Sequence, residues 1–475
     1  MKGRIPLLKE LIKYHKENNL LLSMPGNKAG LGFLRDDIGK EFEEKLGSLD
    51  ITEVDPLDNL HCPEGVIKEA QELLSKTYNS KKAYFLVNGS SCGNLSSIFD
   101  AFDEGDEVIV ERNCHKSIYN ALILRKLKVK YIEPIIDFEK DIFLPPNKEN
   151  IYNTLQKIIN PKGIILTYPN YFGITYDIEE IIKDLKNKNL KIIIDAAHGA
   201  HFGQNEKLPK DIYYLADYVV LSAHKTLPAL TQGAYLLVNN DSESIEFYLK
   251  SFMSTSPSYL IMASLDYARY YLDNYGKYDY KNLIDNCEKY KNQINALNKV
   301  IILSKEDLQA KYDIDITRYI MILPKGYSGH KFLNYLRENK IQAEMSFSRG
   351  VILILSPFNT ESNFECIYKV IENLDLEILK NDRSTDAKYY NFIPDKKLEP
   401  YEVFKLKGIK CKIERSKDKI SKNMIIPYPP GIPLVCPGEV ITKDAINIIE
   451  DYILNEKSII GIENNIIEVV DYITE

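Results

Sequence analysis

The chain has 475 residues, 44% of them hydrophobic, and a formal net charge of −7 from 61 Lys and Arg against 68 Asp and Glu; that length supports two or three domains, each with its own core. The acidic balance and the absence of any basic block argue against a nucleic-acid partner, no apolar run approaches the length of a membrane span, and Met1-Lys2-Gly3-Arg4-Ile5-Pro6 lacks the apolar core of a signal peptide. Seven scattered cysteines without a C-x-x-C pair predict no disulfide framework and a reducing, cytoplasmic setting.

Between residues 83 and 238, seven short apolar runs alternate with helix-length segments: 83–87, 107–110, 129–132, 163–167, 191–195, 217–221 and 234–238. This alternation predicts an α/β fold with an open, mainly parallel sheet covered on both faces, in which ligands bind beyond the carboxyl ends of the strands. Asn88-Gly89-Ser90-Ser91-Cys92-Gly93-Asn94, Asn113-Cys114-His115, Thr167-Tyr168-Pro169-Asn170-Tyr171, Asp195 and Ser222-Ala223-His224-Lys225 each end or follow such a run, so they converge on one rim. Beyond Ser254-Thr255-Ser256-Pro257-Ser258 the pattern turns helical over 259–274 and again over 282–297. Strands at 313–323 and 351–355 around a helix at 329–338 predict a smaller α/β domain. A charged stretch at 380–388 leads into a C-terminal region, where Ile425-Ile426-Pro427-Tyr428-Pro429-Pro430-Gly431-Ile432-Pro433 reads as a rigid wall or brace. The expected division is an N-terminal segment (1–48), a large cofactor-binding domain (49–255), a small α/β domain (256–380) and a C-terminal domain (381–475).

Lys225 follows the strand 217–221 and lies 30 residues beyond Asp195, the end of 191–195. A lysine amine forms a Schiff base with the aldehyde of pyridoxal 5'-phosphate, and a strand-end carboxylate keeps the pyridine nitrogen protonated so that the ring accepts electrons. Alone, Lys225 reads as a solvated loop lysine and Asp195 as a helix cap; the pattern around them favours a cofactor site. The turn at Ser90, Ser91 and Cys92 opens a helix, where amides and hydroxyls favour a phosphate, although a Gly-Ser turn by itself is usually only a cap. His115, on the same rim, suits a ring lying flat on the cofactor, against the alternative of a capping histidine. His198 suits a partner of Asp195 or of the ring oxygen. His198 and His201 also have metal-ligand spacing, but a third ligand is missing and no metal is expected.

These motifs resemble the Orn/Lys/Arg decarboxylase family of fold-type-I pyridoxal phosphate enzymes over nearly the whole length. The resemblance rests on Leu49-Asp50-Ile51-Thr52-Glu53-Val54, the 85–94 turn, Arg112-Asn113-Cys114-His115-Lys116-Ser117, Asp195-Ala196-Ala197-His198-Gly199-Ala200-His201-Phe202 and Ser222-Ala223-His224-Lys225-Thr226-Leu227. It continues through Ser256-Pro257-Ser258-Tyr259, Pro429-Pro430-Gly431-Ile432-Pro433 and Pro437-Gly438-Glu439. The length fits the short, biosynthetic branch without an N-terminal wing domain. The resemblance implies a seven-stranded, aspartate aminotransferase-like large domain, a smaller α/β domain and an α+β C-terminal domain. It further implies a homodimer or larger assembly with the site at the subunit interface. By the same resemblance Ser90, Ser91 and Ser222 hold the phosphate, His115 stacks on the ring, Asp195 pairs with the pyridinium and Lys225 bonds the cofactor with His224 beside it. Residues 254–258 reach the partner subunit's cofactor. The implied reaction is decarboxylation of arginine, lysine or ornithine to agmatine or a diamine, feeding polyamine metabolism, with Lys225 or His224 returning a proton to Cα.

The chain departs from the family pattern at Asn27, Ala196, Phe347 and Tyr401, where a histidine, an acidic or hydroxyl residue, an aspartate and an arginine are expected. These positions bear on the substrate more than on the cofactor. Glu344 is the candidate for the substrate's distal cation, against the alternative of a solvated surface glutamate. Two other functions stay open: an aminotransferase or lyase on the same fold, with Arg349 anchoring a carboxylate, and a catalytically silent regulatory paralogue.

Overall fold

The structure, a computed structural model, describes residues 4–380, 393–428, 432–454 and 458–471. Its large domain is organised by seven strands: β1 (Lys82–Leu86), β2 (Glu107–Glu111), β3 (Lys128–Ile132), β4 (Pro161–Thr167), β5 (Lys191–Asp195), β6 (Tyr218–Leu221) and β7 (Ala234–Val238). They lie side by side in the order β1-β7-β6-β5-β4-β2-β3. β3, β2, β4, β5 and β6 run parallel, while β7 is antiparallel to both of its neighbours. The reversal follows from the short connection at 222–233, which holds only the four-residue helix α3 (Ala223–Thr226) where a parallel return needs a full crossover. Val108–Val110, Ile192–Ile194 and Val219–Leu221 are sealed from solvent on both faces, so these strands read as continuous apolar runs without alternation.

Helix α1 (Gly89–Ala101) follows β1 and α2 (Lys116–Leu124) follows β2. At Gly93 a Cβ would sit 2.7 Å from Leu86 Cδ1 and 3.0 Å from Val220 Cγ1, so glycine lets the start of α1 lie against the sheet. The segments expected as separate helices at 259–274 and 282–297 form one continuous rod: Tyr259–Tyr271, a π-helical turn at Leu272–Gly276, and Lys277–Ala296. A Cβ at Gly276 would lie 2.2 Å from Gln204 Oε1; the glycine admits that side chain where the sequence suggests a break.

The smaller sheet contains β8 (Ile301–Ile302), β9 (Arg318–Ile322), β10 (Met345–Phe347) and β11 (Gly350–Ile354), in the order β8-β9-β11-β10, with α4 (Gly329–Glu338) packed on it. The strand expected over 313–323 is two strands. Tyr312–Ile314 pairs with Ile174–Tyr176 of the large domain, and β9 begins at Arg318. The break is an aspartate turn in which Asp315 Oδ1 accepts from the Thr317 amide at 2.9 Å and the Thr317 hydroxyl at 2.6 Å. Near the chain start, Leu20–Leu22 pairs in parallel with Ile341–Ala343, tying that segment to the small domain.

The C-terminal region has its own three-stranded sheet, Gly408–Lys412, Ile466–Val470 and Ile462–Glu463, over a core including Ile413, Ile425, Ile449 and Val469. Most of the charged stretch 380–388, and residues 429–431 of the proline segment, lie outside the described residues. Among the described residues no helix is long and apolar enough to cross a membrane.

Candidate active site

The carboxyl ends of β1, β2, β5 and β6 deliver the rim residues. Asn88 precedes α1, and Gly89 adopts φ +80°, a left-handed conformation that turns the chain from strand into helix. Ser90 and Ser91 thereby stand in the first turn of α1, where unpaired amides favour an anion. Ser222, just after β6, is fully buried and its Oγ has no hydrogen-bond partner among the described residues. Cys92 faces inward, with its thiol against Ser96 and burial pushing its pKa up to about 11.

Asp195 ends β5 and is 3% exposed. Its Oδ2 accepts from Asn94 Nδ2 at 3.0 Å and its Oδ1 from the Ala197 amide at 3.1 Å. The same Asn94 amide donates to Ser117 Oγ at 2.9 Å, and Ser117 Oγ lies 2.8 Å from His115 Nδ1. Because the Ser117 amide also donates to His115 Nδ1, that nitrogen is an acceptor and the proton of neutral His115 sits on Nε2. His115 does cap α2, as the structural alternative has it, and it is also linked to Asp195 through Ser117 and Asn94. Desolvation lowers its pKa, opposed by the charge of Asp195.

Lys225 Nζ lies 3.1 Å from His198 Nε2. Burial brings the amine down to about 8, with Asp195 opposing, Arg318 adding and Glu344 opposing. On the other side of the ring, Arg318 Nη2 lies 2.7 Å from His198 Nδ1. His224 donates from Nδ1 to the Gly233 carbonyl at 2.9 Å, so its neutral ring keeps the Nε2 lone pair; burial lowers its pKa. His198 and His201 have different partners: His201 stacks on Tyr280, with its Nε2 3.0 Å from Asp315 Oδ2. Among the described residues no three His, Cys, Asp or Glu side chains gather as a metal site.

The chain start supports the lysine turn. The Gly26 amide donates to the His224 carbonyl at 2.7 Å, and a Cβ at Gly26 would meet Thr226 C at 2.6 Å. Asn27 donates to the Ala229 carbonyl at 2.8 Å. Lys28 is buried, with Nζ donating to the carbonyls of Ser23 and Ile354 at 2.6 and 2.9 Å, and burial brings it to about 7. Glu344 is half-buried instead of solvated; it accepts from Tyr171 Oη at 2.6 Å and the Met24 amide at 2.9 Å. Ala196, just after the interior strand β5, is fully buried. Phe347 packs edge-on against Phe172 at 5.6 Å. Tyr401 lies on the helix Pro400–Lys405, which packs on α2. Arg349 spends its guanidinium on the Glu139 and Leu323 carbonyls, at 2.6 and 2.9 Å.

Asn94, Lys28, Asp315 and Arg318 belong to this constellation and were not singled out by the sequence reading. Asp315 and Arg318 carry a signal in hindsight: two opposite charges inside the apolar run Ile314-Asp315-Ile316-Thr317-Arg318-Tyr319-Ile320. Burial of such a pair needs specific partners.

A half-buried lysine amine, a carboxylate held by two donors, a helix N-terminus and an orphaned Ser222 hydroxyl on one rim fit pyridoxal phosphate. With the seven-stranded sheet they define a fold-type-I pyridoxal phosphate enzyme. The lysine decarboxylase LdcF of Francisella novicida shares this fold, with a TM-score of 0.78 at 21% identity, covering 98% of this chain and 81% of that one. The family model for the Orn/Lys/Arg decarboxylase major domain matches residues 5–311, and that for the C-terminal domain residues 387–460. The chain belongs to the Orn/Lys/Arg decarboxylase family, and it is accordingly a decarboxylase with pyridoxal 5'-phosphate as cofactor. The uncharacterized protein YaaO of Bacillus subtilis is 34% identical over 455 residues, 93% of this chain and 92% of its own length. An arginine decarboxylase of Halalkalibacterium halodurans is 31% identical over 452 residues, 92% and 91% of the two chains.

Proposed function

We propose that the chain decarboxylates a basic amino acid (arginine, lysine or ornithine) with Lys225 as the amine that bonds the cofactor. The observation that carries this reading is the amine of half-buried Lys225, 3.1 Å from His198, on the rim where Asp195 is held by Asn94 and Ala197. When bound, pyridoxal phosphate supplies an electron sink for the pair left as carbon dioxide departs. Asp195 holds the proton of the pyridine nitrogen, Ser90, Ser91 and Ser222 bind the phosphate, and His115 orients the ring. His198 holds the lysine amine. Lys225 and His224 are the groups that return a proton to Cα. Glu344 takes the distal cation of the substrate, a role its burial strengthens.

Residues 49–255 serve in this reading as the cofactor-binding domain, 256–380 as the small domain and 381–475 as the C-terminal domain. Two subunits share the site, with residues 254–258 reaching the partner's cofactor. The product enters polyamine metabolism in the cytoplasm. Relatives named arginine decarboxylase at 29% and 31% identity make arginine the first substrate to try. An aminotransferase gains no support, since Arg349 is engaged by backbone carbonyls. Incubation of the cofactor-loaded protein with each amino acid, with the amine product identified by mass, tests the reading: agmatine or a diamine is expected, and unchanged substrate in all three counts against it.

A further inference from the structure

Arg318 opens β9, just after the strand Tyr312–Ile314 that pairs with the large domain, and its side chain is 1% exposed. Three contacts fix it. Nη1 donates to the Tyr171 carbonyl at 2.7 Å, Nη2 meets His198 Nδ1 at 2.7 Å, and Nε lies 3.7 Å from Asp315 Oδ2. Gly173, at φ +78°, makes room for it, because a Cβ there would lie 2.6 Å from Arg318 Cδ.

The direction of the hydrogen bonds follows from chemistry alone. A guanidinium has donors, no acceptor, and stays charged. His198 Nδ1 must therefore accept. A neutral imidazole whose Nδ1 accepts carries its proton on Nε2, and here Nε2 faces Lys225 Nζ at 3.1 Å. An ammonium cannot accept that proton; only a free amine can. We propose that Arg318, held by Asp315, is a positioning residue that fixes His198 as the Nε2–H tautomer and thereby holds the Lys225 amine unprotonated, the form that condenses with an aldehyde.

The inference rests on the reading of Lys225 as the cofactor-bonding lysine. The charge environment agrees with it. Burial, then Lys225, Arg318, His115 and His224, all keep His198 from taking a second proton. Around Lys225, burial and Arg318 favour the free amine, whereas Asp195 and Glu344 oppose it. Arg318 thus acts twice on the lysine, by its charge and through the histidine.

The histidine tautomer and the lysine protonation are each read directly. In full-length protein freed of cofactor and labelled with ¹⁵N at its seven histidines, the His198 resonances are identified by their loss in His198→Asn. The Nε2–H tautomer is expected in the wild type; the Nδ1–H tautomer there overturns the proposal, whether or not any variant folds. In Arg318→Met the Nδ1–H tautomer is expected to gain population. The pH of half-maximal Lys225 acetylation by trace acetic anhydride, read peptide by peptide, is expected to rise from about 8 by roughly one unit or more. Arg318→Lys, which keeps a cationic donor, is expected to restore both. A folded Arg318→Met protein with unchanged tautomer and midpoint overturns the proposal. Borohydride trapping of added pyridoxal phosphate tests the underlying reading separately: a label on a lysine other than Lys225 removes that reading while leaving the histidine tautomer as measured.

Discussion

Arg112 and Glu439 form a bidentate ion pair sealed from solvent, with Nη2 and Oε2 2.7 Å apart and the two side chains 2% and 0% exposed. Arg112 stands three residues before His115, and Glu439 belongs to the C-terminal region, so the pair fastens that region to the cofactor rim. The arginine also donates to the Pro433 and Leu434 carbonyls at 3.1 and 3.2 Å, and Glu439 accepts from the Cys436 amide at 2.7 Å. Pro433 and Leu434, at the end of the proline segment, are thereby anchored to that rim. Arg112→Met leaves a buried carboxylate unpaired and is expected to cost about 3–5 kcal/mol in denaturant unfolding. Arg112→Met with Glu439→Leu is expected to recover most of that loss, because neither charge is then stranded. A single variant as stable as the wild type contradicts the anchor.

Asn94 is the side chain that joins Asp195 to the His115 network. Asn94→Ala removes one of the two donors on the Asp195 carboxylate, a charge-assisted bond of about 1.5–3 kcal/mol. The expected result is a loss of roughly 10- to 100-fold in turnover, with faster cofactor dissociation measured by dialysis and absorbance. Unchanged dissociation and turnover would mean that Asp195 is positioned by its backbone alone.

Glu111 makes a prediction about pH and stability. It ends β2 as a buried carboxyl, with the Thr167 amide donating to Oε2 at 2.8 Å. Burial raises it from 4.5 to about 8, the Thr167 bond opposes the shift and the charge of Asp195 adds to it. Between pH 4.5 and about 8 the unfolded chain has released this proton and the native protein still holds it, so stability from this group falls as pH rises. Glu111→Gln is expected to remove that slope and to leave the protein more stable than wild type at pH 8 by on the order of a few kcal/mol. Parallel urea titrations at pH 5 and 8 check it; equal slopes in both proteins would count against a neutral Glu111.

Glu344 is the test of substrate recognition. Glu344→Gln keeps the size of the side chain and one acceptor oxygen, which the Met24 amide takes while the new NH2 donates to the Tyr171 hydroxyl, but removes the charge offered to a distal cation. A rise in KM of about 10- to 100-fold for the basic substrate is expected from the loss of a charge-assisted bond, with a smaller change in kcat. An unaltered KM assigns Glu344 to holding Tyr171 and the chain start only.

The strands of the large domain were legible because both faces of the sheet are covered. Ile192–Ile194 and Val219–Leu221 are apolar without interruption, and their ends mark Asp195 and Ser222. The continuous helix through Leu272–Gly276 was hidden, because a glycine that admits Gln204 looks in sequence like a helix breaker. The turn at Asp315 was hidden as well, since two charges in an apolar run have no visible partner until the chain folds. For the same reason Arg318 and Lys28 went unread: their partners, His198 and the Ile354 carbonyl, lie 120 and 326 residues away. Glu344 was recognised as a candidate, but its bonds to Tyr171 and Met24 come from elements distant in sequence.

The role proposed for Lys225 is to carry decarboxylation of a basic amino acid. Its most direct test is release of labelled carbon dioxide from carboxyl-¹³C arginine, lysine and ornithine by cofactor-loaded wild type and Lys225→Ala, side by side. Release from at least one substrate by the wild type, matched by its amine product and absent from Lys225→Ala, is the predicted result. Equal release by Lys225→Ala, or none from any of the three by wild-type protein with bound cofactor, would contradict it.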